Sequence, residues 1–234
     1  MAATARPRAR LTDADPILFD LDGTLMRSGS GVQASVVHTY AVLGLPAPDA
    51  ATLNEFIGPP IQVSFQRFAG LTEDQAWEAV AVYRAHYLEH GLFDADPYDG
   101  IVDVLGDLQA AGRVLAVATS KAEPMAQAVL DRFGLAGYFA SLTGSELDGT
   151  RSAKSEVVAE ALVRLGIAPG GAARAVMVGD RSHDVNGARA NGLSAIGAVW
   201  GYGTADELVR SGATALAHHP RDLLPLLLPD RADT

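Results

Sequence analysis

The chain has 234 residues, no cysteine, and 18 basic against 28 acidic side chains, a formal net charge of −10. That balance disfavours nucleic-acid polymers and anionic membranes as partners but leaves room for a small anion at a site of local positive charge. The missing cysteines exclude disulfides, thiolate metal centres and cysteine nucleophiles, and fit a cytoplasmic setting.

The length admits one large domain or a core with a smaller insert. Arg6, Arg8 and Arg10 read as a frayed basic tail rather than a transit peptide. The longest apolar stretch, 223–228, is interrupted by Pro225 and too short to span a bilayer.

Residues 17–19 form an apolar run that reads as a buried parallel strand. It ends in Asp20-Leu21-Asp22-Gly23-Thr24, two carboxylates and a tight turn at a strand's carboxyl end. Residues 28–31 are small and read as a flexible linker. From Val32 to about Glu89 the period becomes helical. One helix is predicted over 32–43 with Gly44 as its stop, and others over 50–57, 61–68 and 72–88, the last opened by a Thr72/Gln75 capping box.

Alternation of helix and strand resumes after Gly100. Helices are predicted at 101–111, 124–133, 156–165 and 185–190, and strands at 114–118, 138–142, 175–178 and 194–199. Strands separated by helices of this length imply parallel pairing through right-handed crossovers. The expected architecture is α/β: a doubly wound parallel core over 12–27 and 95–234, with an inserted α-helical domain over 28–94.

Four polar groups fall at or near strand ends: Asp20 with Asp22, Thr119 with Ser120, Lys154 at a helix start, and Asp180 with Asp184. Singly, each has a plain explanation as a helix cap, a solvated lysine or a turn. Taken together and in this order, they resemble the four-motif signature of the haloacid dehalogenase superfamily of phosphohydrolases. The place of the insert is similar to the helical cap of its phosphoglycolate phosphatase-like group, and the resemblance runs from about Ile17 to Gly203.

The resemblance implies a doubly wound core and a magnesium-dependent phosphatase acting on a small soluble phosphate monoester, monomeric or homodimeric. Asp20 would be the nucleophile that forms an aspartyl-phosphate, and Asp22 the general acid and then base. Mg2+ would be held by Asp20, the backbone carbonyl of Asp22, and Asp180. Asp184 would complete the metal site or orient a metal-bound water or Lys154. Thr119 and Ser120 would bind the phosphoryl oxygens and Lys154 would compensate their charge.

The cap would set specificity through Gly58, in a Gly58-Pro59-Pro60 corner that either faces the core or only joins two helices, and through Arg67. Arg151 and Arg181 would either bind substrate or lock loops by ion pairs. The wording around Gly58, Gly144 and Asp180 is similar to a 5′-nucleotidase-like subset. Arg181 and Asp99 depart from phosphoglycolate phosphatase itself, which commonly carries Ser or Thr and Pro there.

The alternatives weighed are a phosphosugar mutase of the β-phosphoglucomutase type, a dehalogenase, and a receiver-type protein holding phosphoaspartate as a signal. No Walker loop is present. The six histidines show no metal-ligand spacing with carboxylates and most read as surface residues, and Trp77, Tyr83 and Tyr87 read as helix packing.

Overall fold

A computed structural model describes residues 11–168 and 171–228; the basic tail lies outside them. Six parallel strands form one sheet in the spatial order β5-β4-β1-β6-β7-β8. They are β1 (Ile17–Phe19), β4 (Leu115–Ala122), β5 (Ser141–Ser145), β6 (Val176–Gly179), β7 (Ser194–Ala198) and β8 (Ala215–Ala217). In order of appearance this is 3-2-1-4-5-6, the doubly wound arrangement, whose order reverses beside β1. Five helices flank or close the strands: α5 (Ile101–Ala110), α6 (Glu123–Arg132), α7 (Lys154–Arg164), α8 (Ser182–Ala190) and α9 (Ala205–Ser211). The short α10 (Leu223–Leu227) follows β8.

The central strands β1 and β6 are buried along their whole length, as unbroken apolar runs covered on both faces must be. β1 pairs with β4 on one side and β6 on the other, Ile17 standing opposite Leu115 and Val176.

Between β1 and α5 the chain leaves the sheet and returns through a two-stranded antiparallel ribbon, β2 (Met26–Arg27) with β3 (Asp96–Pro97). Four helices lie between these strands: α1 (Gly29–Val42), α2 (Ala50–Glu55), α3 (Ile61–Ala69) and α4 (Glu73–Glu89). The Thr72/Gln75 capping box is formed at the start of α4. An aromatic cluster of Tyr40, Phe56, Phe65 and Tyr83 in edge and tilted contacts fills the space between these helices.

Two expectations need correction. The small residues 28–31 are not a linker. Ser28 is the N-cap position of α1, and Gly29 and Gly31 are buried inside the helix. A β-carbon on Gly31 would stand 2.1 Å from the Gly91 carbonyl oxygen, so the glycines there serve close approach rather than flexibility.

The third core strand runs 141–145, not 138–142. Residues 136–138 form a 3-10 turn, and pairing of Ala118 with Thr143 draws the polar Thr143-Gly144-Ser145 into the sheet. Beyond β7, α9, β8 and α10 extend the fold where the sequence signal was too weak to assign elements. Among the described residues no helix is long and apolar enough to cross a membrane.

Candidate active site

The site is built where the sheet order reverses. The Asp20 N–H still donates to the Val178 carbonyl at 2.9 Å, which locks the residue at the end of β1 beside β6. Gly23 turns the chain at φ +89°, and a β-carbon there would lie 2.3 Å from the Asp180 carboxylate, so only glycine lets these two loops meet. Asp180 follows β6, and Asp184 sits in the first turn of α8.

Three carboxylates converge: Asp20, Asp180 and Asp184 are all buried, with one oxygen of each within 4.8 Å of the others. Asp180 accepts hydrogen bonds from the Tyr202 N–H at 2.8 Å and the Thr24 hydroxyl at 3.3 Å. Asp184 accepts one from the Arg181 N–H at 3.0 Å. Lys154, the first residue of α7, reaches in from the other side. Its ammonium lies 2.6 Å from Asp20 Oδ1 and 2.8 Å from Asp184 Oδ1, and it donates to the Ala118 carbonyl at 3.2 Å.

With all three acids ionised, three negative charges face one ammonium, a local sum of −3 + 1 = −2. An all-oxygen donor set with that charge fits a hard divalent cation. Titration points the same way. Burial pushes the Asp20 carboxyl up to about 6 against the opposing pull of Lys154, and burial with the Asp184 charge raises Asp180 well above the ordinary carboxylate range. Burial alone would pull the Lys154 ammonium down, but Asp184 and Asp20 outweigh it and hold it charged.

A pH dependence with a definite sign follows. A carboxyl whose folded pKa is raised binds its proton more tightly folded than unfolded, so the cation-free protein loses stability as pH climbs from 3.8 through about 6. A divalent cation must displace that proton, and its affinity therefore falls with pH below 6. The rise in melting temperature on adding Mg2+ is expected to be several degrees at pH 7.5 and nearly absent at pH 5, read by differential scanning fluorimetry. Equal shifts at both pH values would separate cation binding from these acids.

Asp22 points elsewhere. Its carboxylate is not part of the acidic cluster. It accepts a hydrogen bond from the Ser28 hydroxyl at 2.5 Å and pairs with Lys121 at 2.8 Å, at the wall of a cavity between the sheet edge and the inserted helices. Of the Asp22 groups, this leaves the backbone carbonyl as the candidate metal ligand. Thr119 and Ser120 are buried in the second half of β4, which continues to Ala122 past the expected strand end at 118, with the Ser120 carbonyl fixed by the Ser145 hydroxyl at 3.0 Å.

Of the cap residues expected to bind substrate, Gly58 lines the cavity together with Pro59 and Pro60. Arg67 does not. It is exposed on α3 and stacked on its own neighbour Phe68 at 4.9 Å. Arg151 also lies outside the lining. Its guanidinium is spent on Glu146 at 2.5 Å and Glu123 at 3.3 Å and on the Gly144 carbonyl, which fixes the loop after β5. Arg181 is likewise a lock, donating to the Ile57 carbonyl at 2.8 Å and pairing with Glu207 at 3.3 Å.

Two sets of cavity residues escaped the sequence reading. Lys121 is buried against Asp22 with its ammonium 4.4 Å from the Tyr87 ring centre. Its signal was two-residue alternation along β4, which puts Lys121 on the same face as Thr119. Trp77 and Tyr83 line the cavity rather than only packing helices, a correction to their reading, and Arg84, which the sequence did not single out, lines it with them. Trp77 and Arg84 are seven residues apart, two turns along one helical face. The histidines are mostly exposed as expected. His38, His86 and His90 stack on the outer surface of α1 and α4.

Comparison with known proteins gives three kinds of match. The family model described as haloacid dehalogenase-like hydrolase matches residues 17–198. The tyrosine-protein kinase PtkA of Mycobacterium tuberculosis is 43% identical over 202 residues, covering 86% of this chain and 68% of the relative. A 5′-nucleotidase of Pseudomonas aeruginosa is 41% identical over 210 residues, covering 90% and 92%. Among solved structures, a predicted phosphatase from Clostridium acetobutylicum superposes with a TM-score of 0.85 at 37% identity, covering 90% of this chain and 96% of that one.

Proposed function

Because the chain belongs to the haloacid dehalogenase-like hydrolase family, we propose that it is a magnesium-dependent phosphatase, hydrolysing small phosphate monoesters through an aspartyl-phosphate on Asp20. The observation that carries this reading is the buried group of Asp20, Asp180, Asp184 and Lys154 at the end of β1, with Asp22 facing a separate cavity.

Mg2+ held by Asp20, Asp180, Asp184 and the Asp22 carbonyl would act as a Lewis acid on the phosphoryl oxygens. Asp20 attacks phosphorus through a carboxylate oxygen as the bond to the leaving oxygen breaks, and Asp22 gives that oxygen its proton. Water then attacks the same phosphorus, the bond to Asp20 breaks, and Asp22 takes the water's proton. Phosphate leaves and both side chains return to their first state. Thr119, the Ser120 N–H and Lys154 stabilise charge on the equatorial oxygens.

The division of labour has a physical basis. Asp20 sits in the cation-binding cluster and Asp22 on the cavity wall, where a leaving group would stand. We assign the helices 29–89 to a cap over that cavity. The identity to a 5′-nucleotidase supports an organic leaving group of nucleoside size.

The test is phosphate release from nucleoside 5′-monophosphates, phosphoglycolate, sugar phosphates and phosphotyrosine, with and without Mg2+. Release is expected only with the cation. The relative named as a tyrosine kinase adds one further arm, ATP with a tyrosine peptide. Phosphopeptide formed there without ester hydrolysis would replace the phosphatase reading with transfer to protein.

A further inference from the structure

Among the described residues, the cavity beside Asp22 holds one cation that no carboxylate neutralises. Arg84, on α4, donates Nη1 to the Leu147 carbonyl at 2.9 Å, while its buried Nε has no hydrogen-bond partner. Among the described residues no carboxylate pairs with its guanidinium. The other charges on the wall are spent: Asp22 on Lys121, and Glu146 on Arg151. A guanidinium held half-buried without a counterion is costly unless a ligand brings one. Around it the wall is apolar and aromatic, with Trp77 under the Arg84 guanidinium at 5.8 Å, and with Tyr83 and Phe56.

From this we infer that Arg84 is a specificity-determining residue that recognises an oxyanion, a carboxylate or a second phosphate, on the leaving group of the substrate. The inference rests on the phosphatase reading for the identity of the reacting group. The leaving group sits against the aromatic wall with its ester oxygen toward Asp22 and its oxyanion toward the Arg84 guanidinium. Charge-assisted pairing with a planar guanidinium is directional and strong in a partly dry cleft. The bland alternative is that Arg84 only clamps α4 to the loop after β5 through Leu147.

Substrate pairs with matched bodies separate the two. Phenyl phosphate, 4-carboxyphenyl phosphate and hydroquinone bisphosphate are compared with the wild type, Arg84→Gln and Arg84→Lys. The expected result is a loss of about 10- to 100-fold in kcat/KM for one or both of the anionic esters in Arg84→Gln, partly restored in Arg84→Lys, with phenyl phosphate changed less than about threefold. Which anionic ester is affected distinguishes carboxylate from phosphate.

Equal losses on all three esters would overturn the inference in favour of the clamp. A wild type indifferent to the added charge would overturn it too. Binding of benzylphosphonate and 4-carboxybenzylphosphonate by calorimetry supplies a reading independent of turnover. If the carboxylated phosphonate is preferred by the wild type and not by Arg84→Gln while no ester is hydrolysed, the phosphatase reading falls and the oxyanion site stands. If no preference exists, the oxyanion site falls, whatever is hydrolysed.

Discussion

Asp20→Asn is expected to lower phosphate release by about four orders of magnitude or more while leaving the melting temperature within a few degrees of wild type. The size follows from the role: an amide oxygen cannot form the acyl phosphate, and removal of a nucleophile eliminates the covalent route rather than weakening it. The modest effect on stability follows from electrostatics. Asp20 is buried among Asp180 and Asp184, and its carboxyl is pushed up to about 6, so its charge is strained in the cation-free fold. Loss of its 2.6 Å contact with Lys154 offsets that relief. Activity should therefore disappear from a folded protein. Asp22→Asn gives the complementary result. The nucleophile remains, and with a good leaving group the phosphoenzyme accumulates because no base activates the water. Intact-mass measurement reads the added phosphoryl group. An active Asp20→Asn enzyme would remove the nucleophile assignment.

The second large effect is expected from Lys154→Met. Among the described residues the lysine ammonium is the one cation within hydrogen-bond reach of both Asp20 and Asp184, at 2.6 and 2.8 Å, and the residue is only 6% exposed. Removing one partner of a buried ionic cluster leaves the others uncompensated, a cost of about 3–5 kcal/mol. Activity should fall by about 10²-fold or more, because charge on the phosphoryl oxygens loses its fixed counter-charge. Two features distinguish this from general damage to the core. The lost stability returns as pH falls, because the Asp20 carboxyl, freed from the opposing pull of Lys154, rises further and takes up a proton, and it returns at neutral pH on adding Mg2+. Chemical denaturation at pH 5.5 and 7.5 with and without the cation measures both. A variant equally stable under all four conditions would show that the cluster does not depend on its lysine.

The sequence by itself determined the core of this account. The apolar run 17–19 ending in two acids, the strand-helix alternation after Gly100 and the capping box at Thr72 all act locally. Period, propensity and turn chemistry are properties of neighbouring residues. The order of Asp20, Thr119, Lys154 and Asp180 along the chain was legible for the same reason, since parallel strands bring their carboxyl ends to one edge.

Only the tertiary structure decided the rest. Whether Gly29 and Gly31 loosen the chain or let α1 approach Gly91 depends on a partner far along the sequence. The shift of β5 to 141–145 was set by pairing with β4, which outweighed the apolar character of Tyr138 and Phe139. From sequence Arg67 was expected to set specificity and Arg151 to bind substrate or lock a loop, while nothing singled out Arg84. One is exposed, one is tied to acids, and one is turned into the cavity without a counterion, because a charge acquires its role from what folding places beside it.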